Sequence, residues 1–253
     1  MSTHKDSILD QFTRQAVPFS TASAIKDEAA LRLIVEFSGA GSDDTVLDVA
    51  CGGGLVVCAF AKTVRHATGI DLTPAMLEQA RKNQAAQGLT NITWKQGDVL
   101  PLPFPDASFS IVTSRFAFHH FLDPLAVLKE MKRVAKPGGK VMVVDSAPAP
   151  DRADAFNRVE KLRDPSHVRA MPVDEHRSLY AKAGLSEPRL TWYRLESEME
   201  ALIARSFPNP GDDDKIRALF RASIADDALG IQTRLVDGKI HYGFPVAVMV
   251  ADR

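Results

Sequence analysis

Three aspartates and a glycine-rich turn are the residues best placed for chemistry. Val46-Leu-Asp-Val-Ala-Cys-Gly-Gly-Gly54 runs from a short apolar stretch into three glycines, and Leu55-Val-Val then starts a helical run. Glycines at such a turn let a ligand approach the backbone and leave N–H groups free at the head of a helix. Asp48 stands just before the turn. A carboxylate there repels a pyrophosphate and attracts a cationic amine. Asp71 ends the next apolar run, where an acid accepts both hydroxyls of a ribose. Asp98, in Gly97-Asp98-Val99, follows a third run and can accept an N–H from an adenine edge. Singly, each acid has an ordinary alternative: Asp48 as a cap or helix-dipole partner, Asp71 as a surface acid, Asp98 as a turn acid. Their order and spacing favour one shared ligand. Leu72 and Val99 either pack on the adenine faces or fill the core, and Met76 reads as helix packing.

Bringing these acids together requires strands that lie side by side and end at one edge. The pattern from residue 45 supplies them, as short apolar runs alternating with helical stretches. Strands are expected at 45–50, 66–71, 91–96, within 107–114, and at 140–145. Helices are expected from Leu55 to Thr63, from Thr73-Pro74 to Gln87, and from Asp123-Pro124 to Lys136. Strand–helix alternation implies a parallel sheet covered on both faces, an α/β fold of the doubly wound type. Before it, residues 1–40 form a helical arm, with Phe12, Ala16 and Phe19 on an apolar face and a second helix at 28–37. After it, 151–169 and 174–184 read as helical, 189–194 as a sixth strand, and 195–229 as helical with a polar break at 209–214. Asp237-Gly238 between apolar runs signals a hairpin in 231–253.

The chain has 253 residues, net charge −1 and 45% hydrophobic residues, which excludes a disordered chain. Near-neutrality leaves no electrostatic footprint for nucleic acid, so a small-molecule partner is expected and no nucleic acid. The longest apolar runs, 55–61 and 246–251, are far short of the roughly 20 residues of a membrane span. Residues 1–7 lack the apolar core of a signal peptide, so a cytoplasmic location is expected. The two cysteines, Cys51 and Cys58, are spaced for neither a zinc ribbon nor a redox pair and read as small buried residues in a reducing compartment, with no metal expected. Oligomeric state is not legible. Length alone allows one or two domains, since α/β folds reach roughly 250 residues as one.

A ligand with a ribose, an adenine and a cationic amino-acid tail, and no phosphates, is S-adenosylmethionine. The pattern resembles the class I methyltransferases, and more narrowly the type 11 branch similar to ubiquinone- and menaquinone-biosynthesis enzymes, over residues 45–145. Val46-Leu-Asp-Val-Ala-Cys-Gly-Gly-Gly54 looks like the family's first motif, with Ala50 where many members have glycine. Gln96-Gly-Asp-Val-Leu-Pro-Leu-Pro-Phe-Pro-Asp-Ala-Ser-Phe109 and Leu128-Lys-Glu-Met-Lys-Arg-Val-Ala-Lys-Pro-Gly-Gly-Lys140 are similar to its later segments. The resemblance implies a Rossmann-like, seven-stranded sheet whose last strand is antiparallel and enters through a hairpin. It also implies a single methyltransferase domain: arm 1–40, cofactor core 45–146, acceptor-side and lid segments 147–230, and hairpin 231–253. Asp48, Ala50, Gly52, Gly54, Asp71, Leu72, Asp98, Val99 and Arg115 are then expected at the cofactor, whose product is S-adenosylhomocysteine.

Methyl transfer is an in-line displacement, so the protein chiefly positions a nucleophile and needs a base only where the acceptor must lose a proton. The acceptor is expected beyond the carboxyl ends of strands four and five. Ser114-Arg-Phe-Ala-Phe-His-His-Phe121 lies there. His119 and His120 are adjacent, so at most one faces the acceptor, and packing is the alternative for each. Arg115 holds an anionic group or is an ordinary strand-end charge. Arg163-Asp-Pro-Ser-His-Val-Arg169 offers His167 and Arg169 as acceptor ligands, or a tight turn. The catalytic candidates are His119 and His167. Phe12 and Phe19 resemble residues that fold over the cofactor in relatives, or merely dock the arm. Two other functions stay open: a methyltransferase-like binding domain without chemistry, and an NAD-dependent oxidoreductase, which Asp48 beside the glycines disfavours.

Overall fold

The computed structural model describes residues 3–253, so the first two residues of the expected arm lie outside the described residues. Two helices come first, α1 (His4–Thr21) and α2 (Glu28–Ser38). Thr3 and Asp6 close a capping box at the head of α1, and the Asp27 side chain accepts from the Ala29 and Ala30 amides to cap α2. β1 (Thr45–Val49), α3 (Leu55–Ala61), β2 (His66–Asp71), α4 (Pro74–Ala86) and β3 (Ile92–Gln96) follow. The chain then crosses back past β1 to β4 (Phe109–Arg115), a 3-10 turn (Phe118–His120), α5 (Pro124–Val134) and β5 (Ala135–Ser146). The remainder is α6 (Ala153–Arg163), α7 (Val173–Lys182), β6 (Arg189–Glu198), α8 (Met199–Ser206), α9 (Asp212–Ser223), β7 (Arg234–Val236) and β8 (Lys239–Asp252).

The strand order is β3-β2-β1-β4-β5-β8-β6, with the short β7 paired to β8. β1 to β5 are mutually parallel, and β8 is antiparallel to both of its neighbours, β5 and β6. This is the expected Rossmann-like sheet with its antiparallel strand brought in by a hairpin; the three-residue β7 makes an eighth strand. Successive residues alternate between two cores. In β5, Val141 and Val143 enter the core under α5 and α7, while Met142 and Val144 enter the one under α3 and α6. A strand buried on both faces must be apolar throughout, which is why β1 and β5 read as continuous apolar runs. The chain reverses direction between β1 and β4, and that switch point opens a crevice at the strands' carboxyl ends.

Three elements depart from the sequence expectations. β6 continues through Glu198, because Leu195 to Glu198 pair with Phe244 to His241 of β8, a partnership that local sequence does not encode. The expected helix over 151–169 ends at Arg163; Asp164 then turns the chain by accepting from the Ser166 amide (2.9 Å) and hydroxyl (2.6 Å). In α1 the most buried residues include Gln11 and Gln15 as well as Ala16. Their amides reach inward: Gln11 donates to the Ser206 carbonyl, and Gln15 donates to that carbonyl and to Asp164, both at 3.2 Å. Cys51 and Cys58 are buried free thiols, raised by burial, Cys58 to about 11. Among the described residues no helix is long and apolar enough to cross a membrane, and no group of side chains has the makings of a metal site.

Candidate functional site

The turn after β1 is shaped by backbone geometry and by one acid. Ala50, Gly52 and Gly54 all have positive φ, 57°, 50° and 74°. Alanine at position 50 thus sits in the left-handed region that glycine adopts without steric cost, so the backbone path is kept and the side chain carries the strain. Asp71, at the end of β2, ties the turn down: Oδ2 accepts from the Gly52 amide and Oδ1 from the Thr73 amide, each at 2.8 Å. Burial pushes the Asp71 carboxyl up, and these amide donors only partly offset it. Gly54 faces away, where a Cβ would collide with Trp94 and Ala80.

Above the turn lies a cavity of about 370 Å³ at the switch point. Asp48, Ala50 and Gly52 line it from the turn, and Asp71 and Leu72 from the end of β2. Asp98 and Val99 join from beyond β3, Arg115 from β4, and Phe12 and Phe19 from α1. Nearly every expected cofactor residue therefore meets at one space; Gly54 is the exception, because it serves helix packing. Gly53 of the same turn and Phe116 beside Arg115 join them, as does Lys5, which has no local sequence signal. Met76 is core packing and cavity wall at once.

The three acids differ in environment. Asp48 is 2% exposed and its Oδ1 has no hydrogen-bond partner. Burial drives its carboxyl well above the usual range, with Arg115 pulling the other way. Asp98 is half exposed; burial raises its carboxyl, but the 2.9 Å hydrogen bond from Lys5 Nζ and those from the Val99 and Leu100 amides hold it below its ordinary value. Arg115 spreads its guanidinium over the Phe116 ring at 4.5 Å, donating to the Tyr193 hydroxyl and the Ile25 carbonyl, while Nη2 is buried without a partner.

The histidines expected on the acceptor side separate. His120 lines the cavity, with its ring edge on Phe12 at 5.0 Å and Nδ1 facing the Ser166 carbonyl at 3.1 Å. Burial first, and then the neighbouring His119, push it down to about 3. His119 lies behind, in a smaller adjoining chamber, with Nδ1 2.5 Å from Asp145 Oδ1. His167 lines neither space: Nε2 pairs with Asn157 at 2.8 Å in the turn after α6, and burial, with His119 and His120 nearby, drives it strongly down. Arg169 is a surface residue paired with Glu175 at 2.6 Å, away from the cavity. The turn alternative is thus the observed state of 164–169. Asp145 was not singled out in the sequence, although an acid ending an apolar strand is the same signal that marks Asp48 and Asp71.

Known proteins resemble this chain in both sequence and fold. Residues 47–143 match the family described as methyltransferase domain. An uncharacterized methyltransferase, YcgJ of Bacillus subtilis, is 32% identical over 206 residues, 81% of each chain. Its crystal structure superposes with a TM-score of 0.81, covering 89% of this chain and 98% of that one. The structure of a putative methyltransferase from Bacillus halodurans is 29% identical, with a TM-score of 0.80 over 88% of this chain and 98% of that one. The ubiquinone/menaquinone biosynthesis C-methyltransferase of Bdellovibrio bacteriovorus is 42% identical over 114 residues, 44% of this chain and 48% of that protein. With a cavity at the switch point, an acid-flanked glycine turn and this breadth of likeness to YcgJ, the chain belongs to the methyltransferase family.

Proposed function

We propose that the protein transfers a methyl group from S-adenosylmethionine to a small-molecule acceptor. The observation that carries this reading is Asp48: a buried carboxylate oxygen without a partner, on the wall of the cavity, beside a turn whose backbone is exposed to it. Leaving such an atom unpaired costs about 1–3 kcal/mol, a cost that a ligand cation relieves. The cofactor fits the donors present. Its amine would meet Asp48, its ribose the remaining lone pairs of Asp71, and its adenine would lie between Leu72 and Val99 with Asp98 at its edge. Arg115, with one free Nη, suits the carboxylate end. Bound there, the cofactor supplies an electrophilic methyl on sulfur. The chain's own contribution is to orient both partners and, through Phe12, Phe19 and Phe116, to keep water out.

The ubiquinone/menaquinone likeness supports a small, largely apolar acceptor, as does the aromatic wall. Isothermal calorimetry with S-adenosylhomocysteine tests the reading. One-to-one binding is expected, and its absence from a folded preparation overturns it. Binding without turnover across quinol, phenol and amine acceptors would instead favour a domain that keeps the cofactor for a purpose other than chemistry.

A further inference from the structure

The smaller chamber, about 50 Å³, shares Phe12, Phe19, Ile25, Phe116 and His120 with the main cavity, so the two adjoin across that layer. Its far wall is charged, yet most of those charges are committed to protein partners. Glu160 holds Arg163 through two hydrogen bonds of 2.8 and 2.7 Å. Asp164 accepts from Ser166 and Gln15, and Arg205 donates to the Ser197 and Tyr242 hydroxyls.

His119 is different. Its Nδ1 is engaged by Asp145 Oδ1 at 2.5 Å, and the same carboxylate is fixed by the Ser146 amide at 2.7 Å and the His119 amide at 3.2 Å. The imidazole is therefore locked in one tautomer, and Nε2 is the ring nitrogen left for the chamber. Neither neighbouring histidine has such backing: His120 faces a carbonyl and a hydroxyl, and His167 is tied to Asn157.

We propose that this chamber is a proton-accepting subsite for a phenol- or enol-type acceptor, whose apolar body lies in the main cavity and whose hydroxyl meets His119 Nε2, with Asp145 as the positioning residue. The proposal rests on the methyl-transfer reading and names its acceptor class. A chamber this small admits the reactive edge of a ring rather than a whole molecule. A hydroxyl, unlike a neutral amine, has to lose its proton to become a good nucleophile. In the step, the O–H bond breaks, its electron pair stays on oxygen, and the proton forms the Nε2–H bond. The resulting imidazolium is balanced by Asp145 and passes its proton to water after product leaves.

The surroundings suit a base. Burial by itself would lower the His119 imidazole, but Asp145 on β5 and Glu160 on α6 override it and raise it, with Arg163 opposing. His120, His167 and His176 of α7 are all held down by burial, so they stay neutral and do not compete, and the Asp164 carboxyl is held below its usual range.

The probe is meta-nitrophenol, whose phenolate absorbs visibly and whose hydroxyl is less acidic than that of the para isomer. It is added to the full chain with and without S-adenosylhomocysteine at a pH where the free probe is mostly protonated and His119, followed by its own NMR titration, is mostly neutral. Saturable binding with a phenolate band is expected, and nitrogen-resolved NMR of the wild-type protein should show Nε2 of His119 gaining a proton. His119→Gln is expected to lose the band. Asp145→Asn is expected to cut the bound phenolate-to-phenol ratio at least tenfold and move its midpoint to higher pH, which a merely structural role for Asp145 would not do. No saturable binding, a band unaffected in His119→Gln, or an unprotonated Nε2 in the wild type overturns the subsite. Failure of S-adenosylhomocysteine to bind in calorimetry overturns the cofactor reading separately, and a His119-dependent band without it still supports the subsite.

Discussion

Asp48 is 2% exposed at the end of β1 with one oxygen unpartnered, and burial lifts its carboxyl well above the ordinary 3.8. A carboxyl whose folded value exceeds its unfolded value opposes folding once it ionises. That penalty is absent below the unfolded value and grows as pH rises past it toward the folded one. Asp48→Asn is therefore expected to raise Tm at neutral pH, with the gain vanishing below pH 3.8, while S-adenosylhomocysteine binds at least tenfold more weakly. Thermal melts across pH and calorimetry on the same variant check both halves. Asp71 is raised by burial too, but unlike Asp48 it serves the turn through two backbone amides as well as any ligand. Asp71→Ala removes the acceptor of the Gly52 and Thr73 amides, so a lower Tm is expected together with a loss of about 1–3 kcal/mol of cofactor affinity. Unchanged affinity in a folded variant refutes the ribose assignment. Both acids are legible in sequence because acids are rare at the ends of apolar strands. The surface pairing of Arg169 with Glu175 is not, because a charged side chain carries no local mark of which way it points.

The turn between β1 and α3 works because two of its glycines, Gly53 against Ser20 and Gly54 against α4 and β3, have no side chain to place. A Cβ on Gly54 would meet the Ala80 Cβ at 2.8 Å and collide with the Trp94 ring, at a φ of 74°. Gly88, after α4, also has positive φ, at 63°, but open space around it. Gly88→Ala is expected to cost about 1 kcal/mol from backbone strain alone, and Gly54→Ala at least about 2 kcal/mol more because α3 or α4 must shift. Urea unfolding of the pair measures the difference, and equal losses would show that packing at Gly54 is dispensable. Element types were readable wherever the periodicity was local: β1 to β4 and α3 to α5 fall where expected, within a few residues, whereas β5 starts at Ala135 and takes in the expected break at 136–139. β6 ran on to Glu198 against a helical pattern because β8 offered ten partners in register, and strand pairing across that distance outweighs local preference.

Over the whole molecule, the sheet edge gathers ten or more side chains from the arm, four strand ends and the 3-10 turn around one cavity, and α1 closes it. A ligand that binds only this assembled state stabilises all of it by mass action. At one hundred times its Kd, S-adenosylhomocysteine is expected to add about 2.7 kcal/mol, or roughly 5–10 °C in Tm for a chain of this size. A thermal-shift series across concentration checks this, and NAD giving the larger shift would reverse the cofactor assignment. The alternation of apolar runs and helix caps, the glycine turn and its acids are determined by the amino-acid sequence alone, since each rests on neighbours a few residues apart. Which side chains face each other is decided only by the tertiary structure. Lys5 meets Asp98 across 93 residues, and Gln15 meets Asp164 across 149. His119 finds Asp145 because β4 and β5 lie side by side in parallel register. Such pairs depend on how elements pack in space, and no local period along the chain records that.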